Sequence, residues 1–327
     1  MFYRKAIITT LFYSGVFHVF YIFNTFFFRK FPVLLFHRVT DDYDHFTEPL
    51  SIANFDAILS FLSKYYNFIE YSTFSQLTTY KKIKPFSLIT FDDATKDFRD
   101  NALPILLKNR IPCIQFIPTH HAHDGTEIWP IQLFSHEKFL DPTDAHYRAK
   151  KKLNHLMLES FEHRRKYLTE VKTINQTTVP TLTWNELRNI QSTAKQVVSF
   201  GSHSDTHEIL PTLPPNELCH ELSKSKLAIE KELGISPNAI AYPSGQYDSK
   251  TLEIACNYYK FGFTTDQCLA KISQLSSENG RLSIPRFLMY TTNPHEVFIR
   301  INGMQQIITY LRSCHHLIKK SGKNVRD

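Results

Sequence analysis

The chain makes little use of cysteine. Its five (Cys113, Cys219, Cys256, Cys268 and Cys314) are scattered, odd in number and without the paired spacing of a metal ligand set. That excludes a disulfide framework and a thiolate metal site, and leaves the redox compartment open, since a secreted protein need not use its cysteines. Internal repeats and low-complexity segments are absent. No pattern of arginine interleaved with aromatics occurs, which argues against a nucleic-acid partner. A further absence marks the N-terminus: from Ala6 to Phe28 there is no Lys, Arg, Asp or Glu, between Arg4-Lys5 and Arg29-Lys30. A run of about 20 apolar residues suffices to cross a bilayer. Here His18, Asn24 and several Thr and Tyr interrupt the run, and both flanks are basic, so no orientation is encoded. No small-residue cleavage site follows, which argues against a removed signal peptide.

The apolar segment sits very close to what comes next. Val33-Leu34-Leu35-Phe36 already reads as a core strand. A helix lying in the membrane interface is therefore expected, or a span with the domain pressed against the bilayer. An aromatic-rich helix packed on the domain itself is the rival. The expected setting is membrane-associated, in a bacterial-type cell envelope, with sidedness not encoded.

At 327 residues the chain can bury a large α/β core. The 38 basic against 31 acidic residues give a formal +7, with local clusters at Lys150-Lys151-Lys152, Arg164-Arg165-Lys166 and Lys319-Lys320. A solvated basic surface accounts for this excess; anionic lipid head groups or an acidic glycan would fit it as well.

Short apolar runs alternate with amphipathic stretches. The runs are Val33–Phe36, Phe86–Phe91, Ile111–Ile117, Val197–Gly201, Ala239–Tyr242, Phe261–Thr264 and Ser283–Phe287. Between them, Ile52–Tyr65, Arg99–Lys108, Glu217–Leu233 and Ser249–Tyr258 carry helical periodicity. Pro214-Pro215-Asn216 is a start signal for the third of these and Leu233-Gly234 its stop. Such alternation predicts a parallel sheet, and about seven strands predict a closed or nearly closed barrel. One long stretch, about 124–196, breaks the rhythm and includes a charged helix around Asp144–Val171; it reads as a helical insertion. The expected organisation is a membrane-associated helix over 1–30, one domain over 31–310 and a basic tail over 311–327.

Two segments carry chemistry. Asp92 and Asp93 end the run Phe86–Phe91, and for both carboxylates to serve one site the backbone must turn there, because successive strand residues face opposite sides. In parallel barrels that C-terminal rim is where sites form. His203 and His207, in His203-Ser204-Asp205-Thr206-His207, follow another strand and share one face if a helical turn starts there, with Gly201 allowing a tight turn and Ser202 or Ser204 capping it. Asp, His and His around an open position suit a catalytic zinc-like ion. His120, His121 and His123 form the densest histidine cluster, but their spacing cannot point three rings one way, and they read as loop decoration. Trp129 is a candidate for stacking on a sugar ring.

Phe91-Asp92-Asp93 and His203-Ser204-x-x-His207 resemble the first two motifs of the polysaccharide deacetylase family, carbohydrate esterase family 4, and the match runs from about Pro32 to Phe287. The resemblance implies a distorted (β/α) barrel and metal-dependent removal of acetyl groups from sugars. Carried over, Asp92 is the general base and Asp93, His203 and His207 are metal ligands. Tyr242-Pro243-Ser244-Gly245 resembles the third motif, in which the amide of Ser244 stabilises the oxyanion. The common version has an arginine two positions before the proline; this chain has Ala241, and Arg286 in Ile284-Pro285-Arg286 is the candidate replacement. The late histidine motif is not evident, His295 being a weak candidate. Leu34-Leu35-Phe36-His37 resembles instead the strand that opens a permuted branch similar to poly-N-acetylglucosamine deacetylases, which makes His37 the general acid.

The expected function is metal-dependent hydrolysis of acetyl groups from an N-acetylated cell-surface polysaccharide or glycolipid. Zinc is the default by ligand type, although the donor set does not itself choose among divalent metals. Two other readings are a deformylase or other amide hydrolase acting on a lipid-linked sugar, and a catalytically silent, metal-holding glycan-binding protein.

Overall fold

The computed structural model describes residues 2–42, 49–77, 85–141, 143–171 and 179–305. Helices α1 (Phe2–Tyr13) and α2 (Val16–Ile22), the latter continued by a π-helical turn over Phe23–Phe27, lead into β1 (Lys30–Phe31) and β2 (Val33–Phe36). Then come α3 (Ile52–Leu62), β3 (Asn67–Phe68), α4 (Tyr71–Phe74), β4 (Phe86–Phe91), α5 (Leu103–Asn109) and β5 (Cys113–Ile117). Four helices follow before β6 (Val198–Ser202): α6 (Trp129–Leu140), α7 (Ala145–Leu156), α8 (Phe161–Val171) and α9 (Trp184–Ala194). The rest runs α10 (Pro215–Leu233), β7 (Ala239–Ala241), α11 (Ser249–Ala255), β8 (Phe261–Phe263), β9 (Ala270–Lys271), α12 (Glu278–Arg281), β10 (Phe287–Leu288) and α13 (Pro294–Ile299).

Seven strands pair in the order β10-β2-β4-β5-β6-β7-β8, every pair parallel. Strands in such a sheet are covered on both faces, so they read as unbroken apolar runs; all six residues of β4 and all four of β2 are buried. Val33, Leu88, Ile114, Phe116, Ala241 and Phe263 pack in one core. Leu34, Phe36, Ile89, Phe91 and Phe200 face the opposite way, onto α3, α5, α9 and α10. The expected last strand, Ser283–Phe287, is divided. Ile284 bridges Phe263, its N–H donating to the Gly262 carbonyl at 2.8 Å, and Phe287 pairs with Leu34 of β2. Pro285 lies between, and having no N–H it interrupts a ladder. The two short pairings bring the β8 and β10 edges together into a distorted (β/α) barrel.

One helical expectation changes and another holds. The charged stretch Asp144–Val171 forms two helices, because the Leu156 and Glu159 carbonyls at the break accept from Arg164 Nη1 at 3.2 and 3.3 Å. A side chain thus satisfies groups that a continuing helix would have satisfied. By contrast α10 starts on Pro215 and stops at Gly234, left-handed at φ 64°, as its end signals predict.

The N-terminal segment bends by 53° between Tyr13 and Val16, where Gly15 has φ 77°. Among the described residues no single helix is long and apolar enough to cross a membrane; the bent pair passes that test only together. One face is packed on the domain: Ile8, Phe12 and Phe17 are buried against Phe298 and Ile299. His295 stacks on Phe12 at 4.1 Å. The other face is open, and 10 of the 16 exposed large hydrophobic side chains among the described residues fall between Ile7 and Phe28. The expected basic tail, 311–327, and Cys314 lie outside the described residues.

Candidate active site

Along β4 the side chains of Leu88, Thr90 and Asp92 alternate onto one face. Asp92 continues the ladder, its N–H donating to the Phe36 carbonyl at 3.1 Å. Asp93 then enters the left-handed region at φ 67°, followed by Ala94 at 48°. This is the backbone turn that two convergent carboxylates require, and for residues bearing a Cβ it is costly.

Asp92 is gripped by Arg286. Nη1 donates to Oδ1 at 2.7 Å and Nη2 to Oδ2 at 2.8 Å, while Nε holds the Thr264 carbonyl at 2.9 Å and Nη1 also reaches Thr90 Oγ1 at 3.2 Å. Both partners are buried. Burial alone would raise the Asp92 pKa, but the guanidinium outweighs it, with help from His203 and His37, and holds the carboxyl below its ordinary range. Arg286 thus makes the contact to Asp92 for which it was the candidate in place of Ala241.

The Asp93 Oδ1 atom lies 3.3 Å from His203 Nε2 and 3.5 Å from His207 Nε2. The donor atoms of the three residues all lie within 4.8 Å of one another, and all three side chains are buried. Burial pushes Asp93 up, yet the two imidazoles and His37 bring it well below the usual carboxylate range. For His203 burial works downward and Asp92 and Asp93 work upward, with a net rise; for His207 burial wins and the pKa falls. His203 Nδ1 is 2.8 Å from the Ala241 carbonyl, to which it can only donate, so in the neutral ring Nε2 is the nitrogen left to bind a cation beside Asp93. Asp93 Oδ1 has no hydrogen bond of acceptable geometry although it is fully enclosed. A buried acceptor facing two imidazole nitrogens fits a divalent cation at their centre.

The histidine loop is not the helical turn its spacing suggests. Ser204 and His207 are both left-handed, at φ 61°. Local side chains take the backbone donors that a helix would use. Ser202 Oγ accepts from the Ser204 N–H and Ser204 Oγ from the His207 N–H, each at 3.1 Å, and Glu221 on α10 accepts from the Asp205 and Thr206 N–H groups at 3.0 Å. Gly201 makes no turn either. It lies in β6, where a Cβ would stand 2.5 Å from the Phe116 ring, so its role is close approach.

The other candidates are distributed around this centre. His37 follows β2 directly, is half-buried, and is close enough to lower both carboxylates. Ser244, at φ 53°, follows the strand end whose Ala241 carbonyl orients His203. Beside it Gly245 is left-handed at φ 68°, and a Cβ there would collide with Thr265. His295 is taken up by the N-terminal helix and does not belong to the site. Trp129 is buried, not open to a sugar; its Nε1 donates to the His207 carbonyl at 2.8 Å. Of the histidine cluster, His120 and His123 are exposed and His121 is buried beside Thr126. Sequence reasoning missed Glu221, which looks like one more charge on an amphipathic helix, and Gln115, whose amide reaches the Phe91 and Asp92 carbonyls at 3.2 and 3.3 Å.

At the C-terminal rim of a parallel barrel, three donors that could hold a metal ion thus lie beside a separately clamped carboxylate. The polysaccharide deacetylase family model matches residues 79–259. The chain belongs to that family, and it is a carbohydrate deacetylase acting on acetylated polysaccharide. The Streptococcus pyogenes deacetylase PplD, solved in complex with acetate, is 22% identical with a TM-score of 0.59, over 83% of this chain and 98% of that one. IcaB from Ammonifex degensii is 16% identical with a TM-score of 0.56, over 82% and 95%. A de-N-acetylase from Aggregatibacter actinomycetemcomitans is 16% identical with a TM-score of 0.57, over 82% and 99%. At these identities the likeness is one of fold. Comparison with curated proteins finds no match.

Proposed function

We propose that the chain is a divalent-metal-dependent N-deacetylase of a cell-surface polysaccharide, of the permuted branch, with zinc held by Asp93, His203 and His207. The observation that carries this reading is the buried Arg286–Asp92 clamp beside three converging donors. It keeps one carboxylate ionised and outside the ligand set. Bound zinc would supply polarisation of the amide carbonyl and would acidify a water to a pKa of about 7.

The remaining steps belong to the chain's own groups. Each Asp92 oxygen keeps a lone pair after accepting from Arg286, so Asp92 takes the proton of the attacking water. Its low pKa makes it a weak base, adequate only for a water already acidified. The Ser244 N–H donates to the oxyanion that forms as water oxygen bonds to the acetyl carbon. His37 then gives a proton to the sugar nitrogen as the carbon–nitrogen bond breaks, so that the amine leaves neutral and acetate remains. With Arg286 in place of the missing arginine, the motive for a silent glycan-binding protein is gone.

The exposed aromatic face before Arg29 supports membrane docking. Phe26, Phe27 and Phe28 are 58–69% exposed and immediately precede β1, whose chain enters β2 at the rim opposite the site. A bilayer at that face leaves the catalytic rim turned away from the head groups, which favours a polymer over a lipid-linked sugar. The test is acetate and formate release from N-acetylglucosamine oligomers and an N-formyl analogue. Chelation is expected to abolish acetate release and zinc to restore it. Full activity in metal-free protein, or a preference for the formyl analogue, would contradict the reading.

A further inference from the structure

We propose that the helical insertion positions His207, acting through Trp129 and Arg164; the inference rests on the reading of Asp93, His203 and His207 as a metal site. The two histidines are held in different ways. The His203 ring is oriented through its second nitrogen, which donates to the Ala241 carbonyl. His207 Nδ1 is buried and has no hydrogen-bond partner among the described residues. Ligand histidines are normally oriented through that second nitrogen. Apart from the contacts of the ring with Asp93 and the His203 ring, orientation of His207 comes through its backbone, which is itself in the left-handed region.

The insertion supplies that restraint at two consecutive residues. Trp129, the first residue of α6, donates to the His207 carbonyl at 2.8 Å. Arg164 of α8 is fully buried and pairs with Glu208, Nε and Nη2 lying 2.8 and 2.7 Å from Oε2. Its Nη2 also donates to Thr212 Oγ1 at 2.8 Å, and Nη1 donates to the Leu156 and Glu159 carbonyls. The guanidinium thereby makes four hydrogen bonds besides its ion pair, and it packs over the Trp129 ring at 5.8 Å. This buried, planar cation cross-links α7, α8 and the segment 208–212 and fixes the chain on the far side of the ligand.

The test compares Trp129→Phe, Arg164→Lys and Arg148→Met in the full chain. Arg148 pairs with Glu137 inside the same insertion and touches neither His207 nor Glu208, so it controls for loss of stability alone. Zinc dissociation constants are measured by competition with a chromophoric chelator, alongside metal-free melting temperatures. Trp129→Phe keeps the ring and removes only the N–H, and it is expected to weaken zinc binding about tenfold or more. Arg148→Met is expected to keep the wild-type constant at a similar melting temperature, and excess zinc is expected to restore acetate release by Trp129→Phe. A folded Trp129→Phe protein with the wild-type constant, or equal weakening in Arg148→Met, overturns the positioning role. Failure of the wild type to bind zinc overturns the metal site itself.

Discussion

Arg286 and Asp92 show why a buried ion pair can be indispensable without being a source of net stability. Taking two charges out of water costs about what their attraction returns, but removing one partner strands the other. Arg286→Met is expected to lower folding stability by about 3–5 kcal/mol, read from denaturant midpoints, and to abolish acetate release. A stable, active variant would mean that Asp92 needs no guanidinium. His121 makes a second statement at this scale. Burial depresses its pKa from 6.5 to about 3, so between those values the unfolded chain binds more protons than the folded one. Stability therefore falls as pH drops through that window, by about 1.4 kcal/mol per pH unit from this group. His121→Gln is expected to flatten that limb of the stability–pH curve by about one proton, and an unchanged slope would contradict the assignment.

Among the elements, the parallel strands were legible because strands buried on both faces leave unbroken apolar runs, and the ends of α10 because proline and glycine mark them. Asp92, Asp93 and Arg286 were legible through their places at strand exits. The conformation around His203 and His207 was not. Spacing of i,i+4 announces a shared face, but whether that face is helical depends on who accepts the backbone N–H groups. Here the acceptors are Ser202, Ser204 and the distant Glu221. Trp129 was misread for a related reason: an aromatic at the start of an insertion looks the same whether it meets sugar or a carbonyl. The split of Ser283–Phe287 is legible at Pro285, which has no N–H to offer a ladder. Glycine was misjudged at Gly201, where the constraint is the Phe116 ring across the sheet.

For the whole molecule, the barrel separates two tasks. Its C-terminal rim gathers the chemistry from β2, β4, β6 and β7, while the opposite end carries the aromatic segment, in a chain with no acidic residue before Asp41. Replacing Phe23, Phe26 and Phe27 by serine is expected to weaken co-sedimentation with anionic lipid vesicles, at about 1.5–3 kcal/mol per fully buried phenylalanine, hence more than tenfold in total. Undiminished binding would place the contact elsewhere. The most direct test of the account as a whole is Asp92→Asn, assayed for acetate release with bound zinc measured in the same sample. The proposal that Asp92 is base and not ligand predicts that the variant retains one zinc ion and loses about 10²–10⁴-fold in rate. A zinc-loaded Asp92→Asn protein that deacetylates at the wild-type rate would contradict it.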